Sequence, residues 1–258
     1  MGLDYTPGAS YGWRARIGML QPSLVCDTNA FEFYLMAPQG VELLLTSLGL
    51  GGLAQAEYDR VVANIEVPVR RLLERNPDVI VQSGIPPVMT HEWGFHQQVR
   101  ARVAEITPLP FITDAAASIA AMQATGISRV VVLGNAFNEE LVAHVTRYLK
   151  AAGIAVIEAQ QLRPEPGTAA NALTLGATYR AARSLYARHA GQTDGIWLTQ
   201  ASNPSVGVIA DLERDLGVPV VTSAQALMWA ALRLAGVRER LAGFGRLFDV
   251  DTLESNHP

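Results

Sequence analysis

The chain has 258 residues, of which 49% are hydrophobic and 17% charged, and its formal net charge is −4. This balance is typical of a globular protein with a full apolar core, and it argues against the basic surface of a nucleic-acid-binding protein. No apolar run approaches the ~18 residues that cross a membrane. The single cysteine, Cys26, excludes an internal disulfide and a thiolate-rich metal site. The first residues lack the pattern of a secretory signal, so we expect a cytoplasmic location.

Eight short, largely apolar segments are typical of strands that are covered on both faces of a parallel sheet. In chain order they are Arg16–Leu20, Val41–Leu48, Asp78–Gln82, Leu109–Thr113, Arg129–Gly134, Ile154–Ala159, Gly195–Thr199 and Val218–Ser223. Amphipathic segments lie between them. From Tyr58 to Leu73, for example, apolar residues recur at three- and four-residue spacing, which indicates a helix. Alternating strands and helices predict an α/β fold with right-handed crossovers.

The second half of the chain repeats the first. The motif "RIGMLQP" at Arg16 returns as "RVVVLGN" at Arg129, 113 residues later (129 − 16). The motif "DVIVQSG" at Asp78 returns as "DGIWLTQ" at Asp194, 116 residues later (194 − 78). Further along, "PFITDAAASIAAM" is echoed by "PVVTSAQALMWAA". Matched units in the same order indicate a duplicated lobe.

The duplication predicts two pseudo-symmetric, doubly wound parallel-sheet lobes with the functional site in the cleft between them. The first lobe would span residues 1–113 and the second 114–223, and the chain end 224–258 would pack on the first lobe. In open α/β sheets, ligands bind at the carboxyl ends of the strands. The candidate site therefore comprises the loops after matched strands: Gln21–Asn29, Gln82–His91, Gly134–Phe137 and Thr199–Ser205.

Three stretches between Arg16 and about Gly236 carry a family resemblance. They are "IGMLQPS" with the acidic-aromatic helix after it, "ITDAAASIAAMQATGISRVVVLGN", and "SNPSVGVIADLERDLGVPVVTSAQALMWAALRLAGV". In them the chain resembles the aspartate/glutamate racemase superfamily, in its maleate isomerase and arylmalonate decarboxylase branch. The resemblance implies cofactor-independent carbanion or enolate chemistry on a small carboxylic acid. In the family a cysteine on each side of the substrate moves protons or adds to a double bond, and backbone amides and hydroxyls hold the carboxylate.

The positions that resemble those of the two family cysteines hold other residues here. Counting from the aspartate that opens each strand places the first at Gly84 and the second at Gln200. Asn135 and Ala136, followed by Phe137, stand where the family has the tyrosine of "TPY". A glutamine amide has no proton that titrates near neutral pH. The protein is therefore not expected to be a two-cysteine racemase, and its chemistry has either moved to another residue or been lost.

Two other side chains are candidate acids or bases. Cys26 is either a small buried hydrophobe or a relocated thiol. His91 follows two prolines that fix its loop, and it either faces the cleft or begins the next helix. His96 is expected at the surface. No histidine pair has the i, i+4 spacing of metal ligands, so we do not predict a metal. The family resemblance implies that no cofactor is needed.

The catalytic positions that we predict are thus Gln200, Gly84, Cys26 and His91. The residues expected to bind the substrate are Pro22, Ser23, Ser83, Ile85, Asn135, Ala136, Phe137, Thr199, Ala201 and Ser202. For Ser83, Ser202 and the neighbouring Asn203, ordinary turn chemistry is the alternative.

Two functions are compatible with these observations. The first is an isomerase, decarboxylase or lyase that acts on a small carboxylic or dicarboxylic acid through an enolate or carbanion, with Gln200, Thr199 and Asn135 stabilising the negative charge. The second is a catalytically inactive carboxylate-binding or regulatory protein, suggested by the missing cysteines and tyrosine. The polar loop "QASNPS" favours the enzyme. The expected partner is a small carboxylate, not a nucleic acid or a membrane, and a homo-oligomer is a possible assembly.

Overall fold

The computed structural model describes residues 10–25, 28–135, 138–163, 173–199 and 203–253. Six predicted site residues lie outside these ranges, namely Cys26, Ala136, Phe137, Gln200, Ala201 and Ser202. Within the described ranges, no helix is long and apolar enough to cross a membrane.

All eight predicted strands form, and they pair into two four-stranded parallel sheets. The strands are β1 (Ala15–Ser23), β2 (Val41–Leu50), β3 (Val79–Gln82), β4 (Phe111–Thr113), β5 (Arg129–Gly134), β6 (Ala155–Gln161), β7 (Gly195–Thr199) and β8 (Val220–Thr222). The helices among the described residues are α1 (Thr28–Met36), α2 (Gln55–Ala63), α3 (Glu66–Leu73), α4 (Pro86–Met89), α5 (Phe95–Ala104), α6 (Asp114–Ala124), α7 (Glu139–Ala151), α8 (Leu175–Arg188), α9 (Ile209–Leu216) and α10 (Ser223–Leu234). The α/β class predicted from the sequence is confirmed.

The two sheets repeat each other in strand order and in register. Their orders are β2-β1-β3-β4 and β6-β5-β7-β8. Ile17 lies opposite Val79 in the first sheet, and Val130 lies opposite Gly195 in the second. These pairs are related by the sequence offsets of 113 and 116 residues. The duplication therefore holds down to individual residue pairs of the two sheets, and the prediction of two pseudo-symmetric lobes is confirmed.

An aspartate joins the same two strands in each lobe. The amide of Arg16 donates to the Asp78 carboxylate at 2.7 Å, while the amide of Asp78 donates to the Arg16 carbonyl at 2.8 Å. The amides of Arg129 and Asp194 make the same exchange at 2.9 and 2.7 Å. This reciprocal bonding explains why each repeated strand motif opens with an aspartate.

The apolar stripe from Tyr58 to Leu73 is confirmed as one buried face, but it belongs to two helices. The first, α2, ends at Ala63, and Asn64 caps it by donating its side-chain amide to the Arg60 carbonyl at 2.9 Å. A new helix, α3, starts at Glu66 and continues the same face. Side-chain periodicity does not reveal a break of this kind, because the apolar spacing is uninterrupted across it.

The helices α6 and α10 occupy equivalent places in the repeat and pack against each other. The first contacts β4 and β8, and the second contacts β3, β4, β7 and β8. One continuous apolar core consequently extends from Ile17 in the first sheet to Trp197 in the second. Because α10 touches both sheets, the lobe boundaries at residues 114 and 224 stay predictions.

Candidate active site

A cavity lies between the first sheet and the first turns of α6 and α10. Its apolar walls come from β1, β3, α1 and α10. Its polar side chains are Asn29, Ser83, Asp114 and Ser223. The room for the centre of a water molecule is about 20 Å³, which corresponds to about one ordered water. Three of these four polar residues follow a strand or begin a helix at the cleft side of the sheets, where the fold predicts a ligand site.

Asp114 is held in this cavity by the way in which α6 begins. Thr113 caps the helix, because its hydroxyl accepts from the amide of Ala116 at 3.2 Å. Asp114 follows as the first helical residue and is buried. Its carboxylate accepts from the amide of Gly84 at 2.9 Å and from the hydroxyl of Ser118 at 3.0 Å. These two bonds fix the carboxylate against the loop that follows β3.

Burial sets the acidity of this carboxyl group. It raises the pKa of Asp114 to about 6, against the smaller lowering effects of the Gly84 amide and the Ser118 and Ser223 hydroxyls. The Ser223 hydroxyl is near enough to act on this pKa, but it makes no hydrogen bond of good geometry. A carboxyl group with such a pKa is present in both protonation states close to neutral pH, as general acid–base catalysis requires.

Gly84 occupies a position that only glycine fits in this structure. Its backbone has a φ of +87°, in the left-handed region that favours glycine. A Cβ added here would lie 2.6 Å from Cγ of Pro22, and a proline ring has little freedom to move aside. A cysteine at this position would therefore be strained in this backbone and would press on Pro22, and the backbone amide of Gly84 donates to Asp114.

Asn29 connects the ends of β1 and β3. Its side-chain amide donates to Oε1 of Gln21 at 3.0 Å and to Oγ of Ser83 at 3.1 Å. Since the Ser83 hydroxyl accepts in this bond, its own proton can be donated to a ligand. The arrangement provides hydrogen-bond donors beside the Asp114 carboxyl group.

Glu32 links α1 to the loop that follows β7. Its buried carboxylate accepts from the amide and hydroxyl of Ser205 and from the amide of Val206. Burial raises the pKa of Glu32, although these three hydrogen bonds lower it. The carboxylate thereby anchors the segment next to Gln200.

The two histidines lie away from the cavity lining. His91 is half-buried, stacks on Phe95 with ring centroids 3.7 Å apart, and places Nε2 3.4 Å from Asp59. Burial lowers the pKa of His91. The expectation that His96 is at the surface is wrong, because its Nδ1 lies 2.5 Å from the buried Tyr148 hydroxyl and only 4% of the residue is exposed. Among the described residues, no group of three His, Cys, Asp or Glu side chains could hold a metal ion.

The other predicted binding residues lie at carboxyl ends of strands, as expected. Pro22, Ile85 and Thr199 are buried, whereas Ser23 and Asn135 are half-buried. Ser83 is the member of this predicted set that lines the cavity. A role in substrate binding stays a prediction for all of them, as does a catalytic role for Gly84 and His91.

Sequence reasoning missed the carboxylates of Asp114 and Glu32 and the hydroxyl of Ser223, whereas Asn29 lies in the predicted site loop Gln21–Asn29 without having been singled out. A signal for two of them was present in the repeat. Where the first half reads "TD", the second reads "TS", so a capping threonine precedes a polar residue at the start of both α6 and α10.

The comparisons with known proteins agree with this architecture. The family described as "Arylmalonate decarboxylase" matches residues 17–248. The chain is 29% identical over 217 residues to the arylmalonate decarboxylase of Bordetella bronchiseptica, covering 80% of this chain and 85% of that protein. It is 25% identical over 190 residues to the maleate isomerase of Nocardia farcinica (strain IFM 10152), covering 71% and 74%. The structure of unliganded arylmalonate decarboxylase matches with a TM-score of 0.80 and 25% identity, over 91% of this chain and 99% of that chain. Because the family match spans most of the sequence, the chain belongs to the arylmalonate decarboxylase family.

Proposed function

We propose that this protein is a cofactor-independent enzyme that acts on a small dicarboxylic acid through an enolate-type intermediate, and that it decarboxylates its substrate. The observation that carries the proposal is the set of polar side chains at the strand ends of this cavity, where a buried carboxyl group, Asp114, stands beside the donors Asn29 and Ser83. Because the cavity itself has room for about one water molecule, the diacid would bind at its mouth, in the cleft, with its reacting end toward these side chains. Relatives whose names specify an arylmalonate and maleate, both dicarboxylic acids, support this substrate class.

The chemistry needs two things from the protein. When a carboxylate leaves as carbon dioxide, its bonding electrons move to the α-carbon and spread onto the remaining carboxylate. Hydrogen-bond donors near those oxygens, such as Ser83, stabilise the developing charge. The apolar walls increase this effect, because electrostatic interactions are stronger where water is excluded. A proton must then reach the α-carbon from one face only.

Racemisation requires more than this. A proton must leave one face and arrive on the other, so two acid–base groups have to stand on opposite sides of the substrate. The chain has no thiol at position 84 on the first side, and the left-handed backbone of Gly84 and the adjacent Pro22 ring disfavour any side chain there. This favours a one-sided reaction over two-base racemisation.

A cytoplasmic location, and assembly into a homo-oligomer, belong to the same proposal.

The test is to incubate the protein with arylmalonates, alkylmalonates and maleate in deuterium oxide. We expect carbon dioxide from at least one malonate and one deuterium at the α-carbon of the product. Conversion of maleate to its trans isomer without carbon dioxide would make isomerisation the reaction instead. An acid that binds, measured by calorimetry, yet neither exchanges protons nor releases carbon dioxide would contradict the proposal and support an inactive carboxylate-binding protein.

A further inference from the structure

The proposed reaction needs a group that delivers a proton, and the two positions that resemble those of the family cysteines hold Gly84 and Gln200, which cannot do so. We infer that Asp114 is the catalytic acid of the cavity and that it protonates the α-carbon after carbon dioxide has left. This inference rests on the proposed function, and it assigns the missing step to a residue on the first of the two sides.

The position of Asp114 supports the assignment. Its carboxylate bonds to the amide of Gly84, the residue that stands where the first thiol would be. The carboxyl group of Asp114 is therefore one hydrogen bond away from the backbone at the position of the first thiol, although it belongs to α6 and not to the loop after β3. The second bond, from Ser118 one helical turn later, limits rotation of the side chain. A fixed proton donor of this kind is what efficient transfer to carbon requires.

The surroundings of Asp114 suit a group that changes its charge during turnover. The groups that act on its pKa come from the loop after β3, from α6 and from α10, and all are uncharged: the Gly84 amide and the Ser118 and Ser223 hydroxyls. Burial raises the pKa to about 6, so that the carboxyl group can give up a proton and regain it near neutral pH.

The other titratable candidates among the described residues are engaged elsewhere. Glu32 is occupied by the amides of Ser205 and Val206 and does not line this cavity. His91 pairs with Asp59 outside the lining. Asp114 is the titratable side chain that the described part of the chain brings into the cavity.

Decarboxylation and the protonation that follows it conserve atoms and charge. The bond between the α-carbon and one carboxylate breaks, and its electron pair passes to the α-carbon and the remaining carboxylate. Carbon dioxide leaves. The proton on the Asp114 carboxyl group moves to the α-carbon, and the resulting carboxylate takes a proton from water. The products are carbon dioxide and a monocarboxylate, and Asp114 returns to its initial state.

The test is Asp114→Asn, in which the amide keeps the shape, can accept from Gly84 and can donate to Ser118. We expect kcat to fall about 10²–10⁴-fold, with a much smaller change in KM. If Asp114→Asn does not fold, as judged by circular dichroism, Asp114→Ser replaces it, because serine already occupies the equivalent position at Ser223. A folded variant that keeps more than about a tenth of the wild-type kcat would overturn the inference.

A second variant, Ser118→Ala, keeps the carboxyl group and removes one hydrogen bond to its charged form. Loss of this bond raises the pKa of Asp114. The wild-type kcat should fall as the pH rises through about 6, and in Ser118→Ala this fall should occur at a higher pH. A residue with only a structural role would leave the profile in place, so an unchanged profile would count against the inference.

The two proposals fail in different ways. A wild-type protein that is inert on every diacid contradicts the proposed function. A wild-type protein that releases carbon dioxide, together with an equally active Asp114→Asn variant, contradicts only the assignment of the acid. Carbon-13 NMR titration of the Asp114 carboxyl group needs no activity: a transition near pH 6 supports the inference, and one near pH 4 overturns it.

Discussion

The first turns of α6 and α10 stand at equivalent places in the two halves of the molecule, 109 residues apart (223 − 114). Each follows the last strand of its sheet and is capped by a threonine, Thr113 or Thr222. The next residue differs: it is Asp114 in one helix and Ser223 in the other. Duplication has kept the scaffold the same on both sides, and of these two equivalent residues only Asp114 titrates. If Asp114 is the acid, as we propose, a two-sided fold carries a one-sided chemistry.

The loops that face these helices are also held in a comparable way. The loop after β3 gives the amide of Gly84 to Asp114, and the loop after β7 gives the amides of Ser205 and Val206 to Glu32. With a lobe boundary at residue 114, each loop is held by a buried carboxylate of the other lobe. The two carboxylates differ in place, because Asp114 lines the cavity whereas Glu32 does not.

The largest expected effect on stability comes from removing the charge of Asp114. Its pKa is raised from 3.8 to about 6, so folding is favoured while the group is protonated. This stability is fully present below about pH 4 and is lost as the pH rises through about 6, a change of about 3 kcal/mol. Asp114→Asn has no such loss. In urea unfolding, the free energy of unfolding of the wild type and of the variant should depend on pH in the same way below about pH 4. Above pH 6 the variant should be more stable than the wild type by up to about 3 kcal/mol.

Ser223→Ala is the matched control on the other side, since it removes a neutral hydroxyl at the equivalent position. Its difference from the wild type should vary with pH less than that of Asp114→Asn and in the opposite direction, because loss of the Ser223 hydroxyl raises the pKa of Asp114 slightly further and so makes the variant less stable as the pH rises. If both variants gave the same pH dependence, the contrast between a charged and a neutral side would be wrong. If Asp114→Asn is more stable than the wild type but has a lower kcat, the aspartate is kept for its function at a cost in stability.

An effect of similar size is expected where the first side requires a glycine. Gly84→Ala should destabilise the protein for two reasons, namely its φ of +87° and a Cβ placed 2.6 Å from the Pro22 ring. Gly94 has a φ of +91° with nothing within 4 Å of an added Cβ, so Gly94→Ala carries only the backbone part. That part costs about 1–2 kcal/mol. The steric overlap at Gly84 should add about 1–3 kcal/mol, measured as the difference between the two variants in urea unfolding.

Equal losses of stability in the two glycine variants would mean that Pro22 moves aside. A thiol could then be accommodated at Gly84, and the steric reason for its absence would be withdrawn. A larger loss in Gly84→Ala supports the view that the first side is built around glycine.

Much of the fold followed from the sequence, and little of the site did. Strands such as Arg129–Gly134 are short apolar runs, and the offsets between matched motifs place each strand in its sheet. The position of Asp114 beside Gly84 depends on how α6 packs against the loop after β3, thirty residues earlier (114 − 84). No local pattern encodes that contact. In the sequence, the stretch "ITDAAAS" has the features of an ordinary helix start.

His96 illustrates the same limit. Its helix carries many charged and polar residues, which made the surface the natural expectation. The side chain is buried because Tyr148 of α7, 52 residues further along, provides a hydroxyl partner. A polar side chain is buried readily when a distant element supplies its hydrogen bond, and single-sequence reasoning has no access to that element.

The smallest changes in stability are expected from the two capping threonines, and these variants separate the role of the duplicated scaffold from that of the catalytic group. Thr113→Ala and Thr222→Ala each remove a helix cap, because the threonine hydroxyls accept from the amides of Ala116 and Gln225 at 3.2 and 3.0 Å. Each loss should cost about 0.5–2 kcal/mol, and the two should be similar because the scaffold is duplicated. The two variants should, however, differ in kcat. Thr113→Ala loosens the turn that carries Asp114 and should lower kcat several-fold, whereas Thr222→Ala loosens the turn that carries Ser223 and should lower it less. Thermal unfolding and steady-state kinetics on the same preparations measure both quantities, and equal losses of kcat would mean that the two sides share the chemistry.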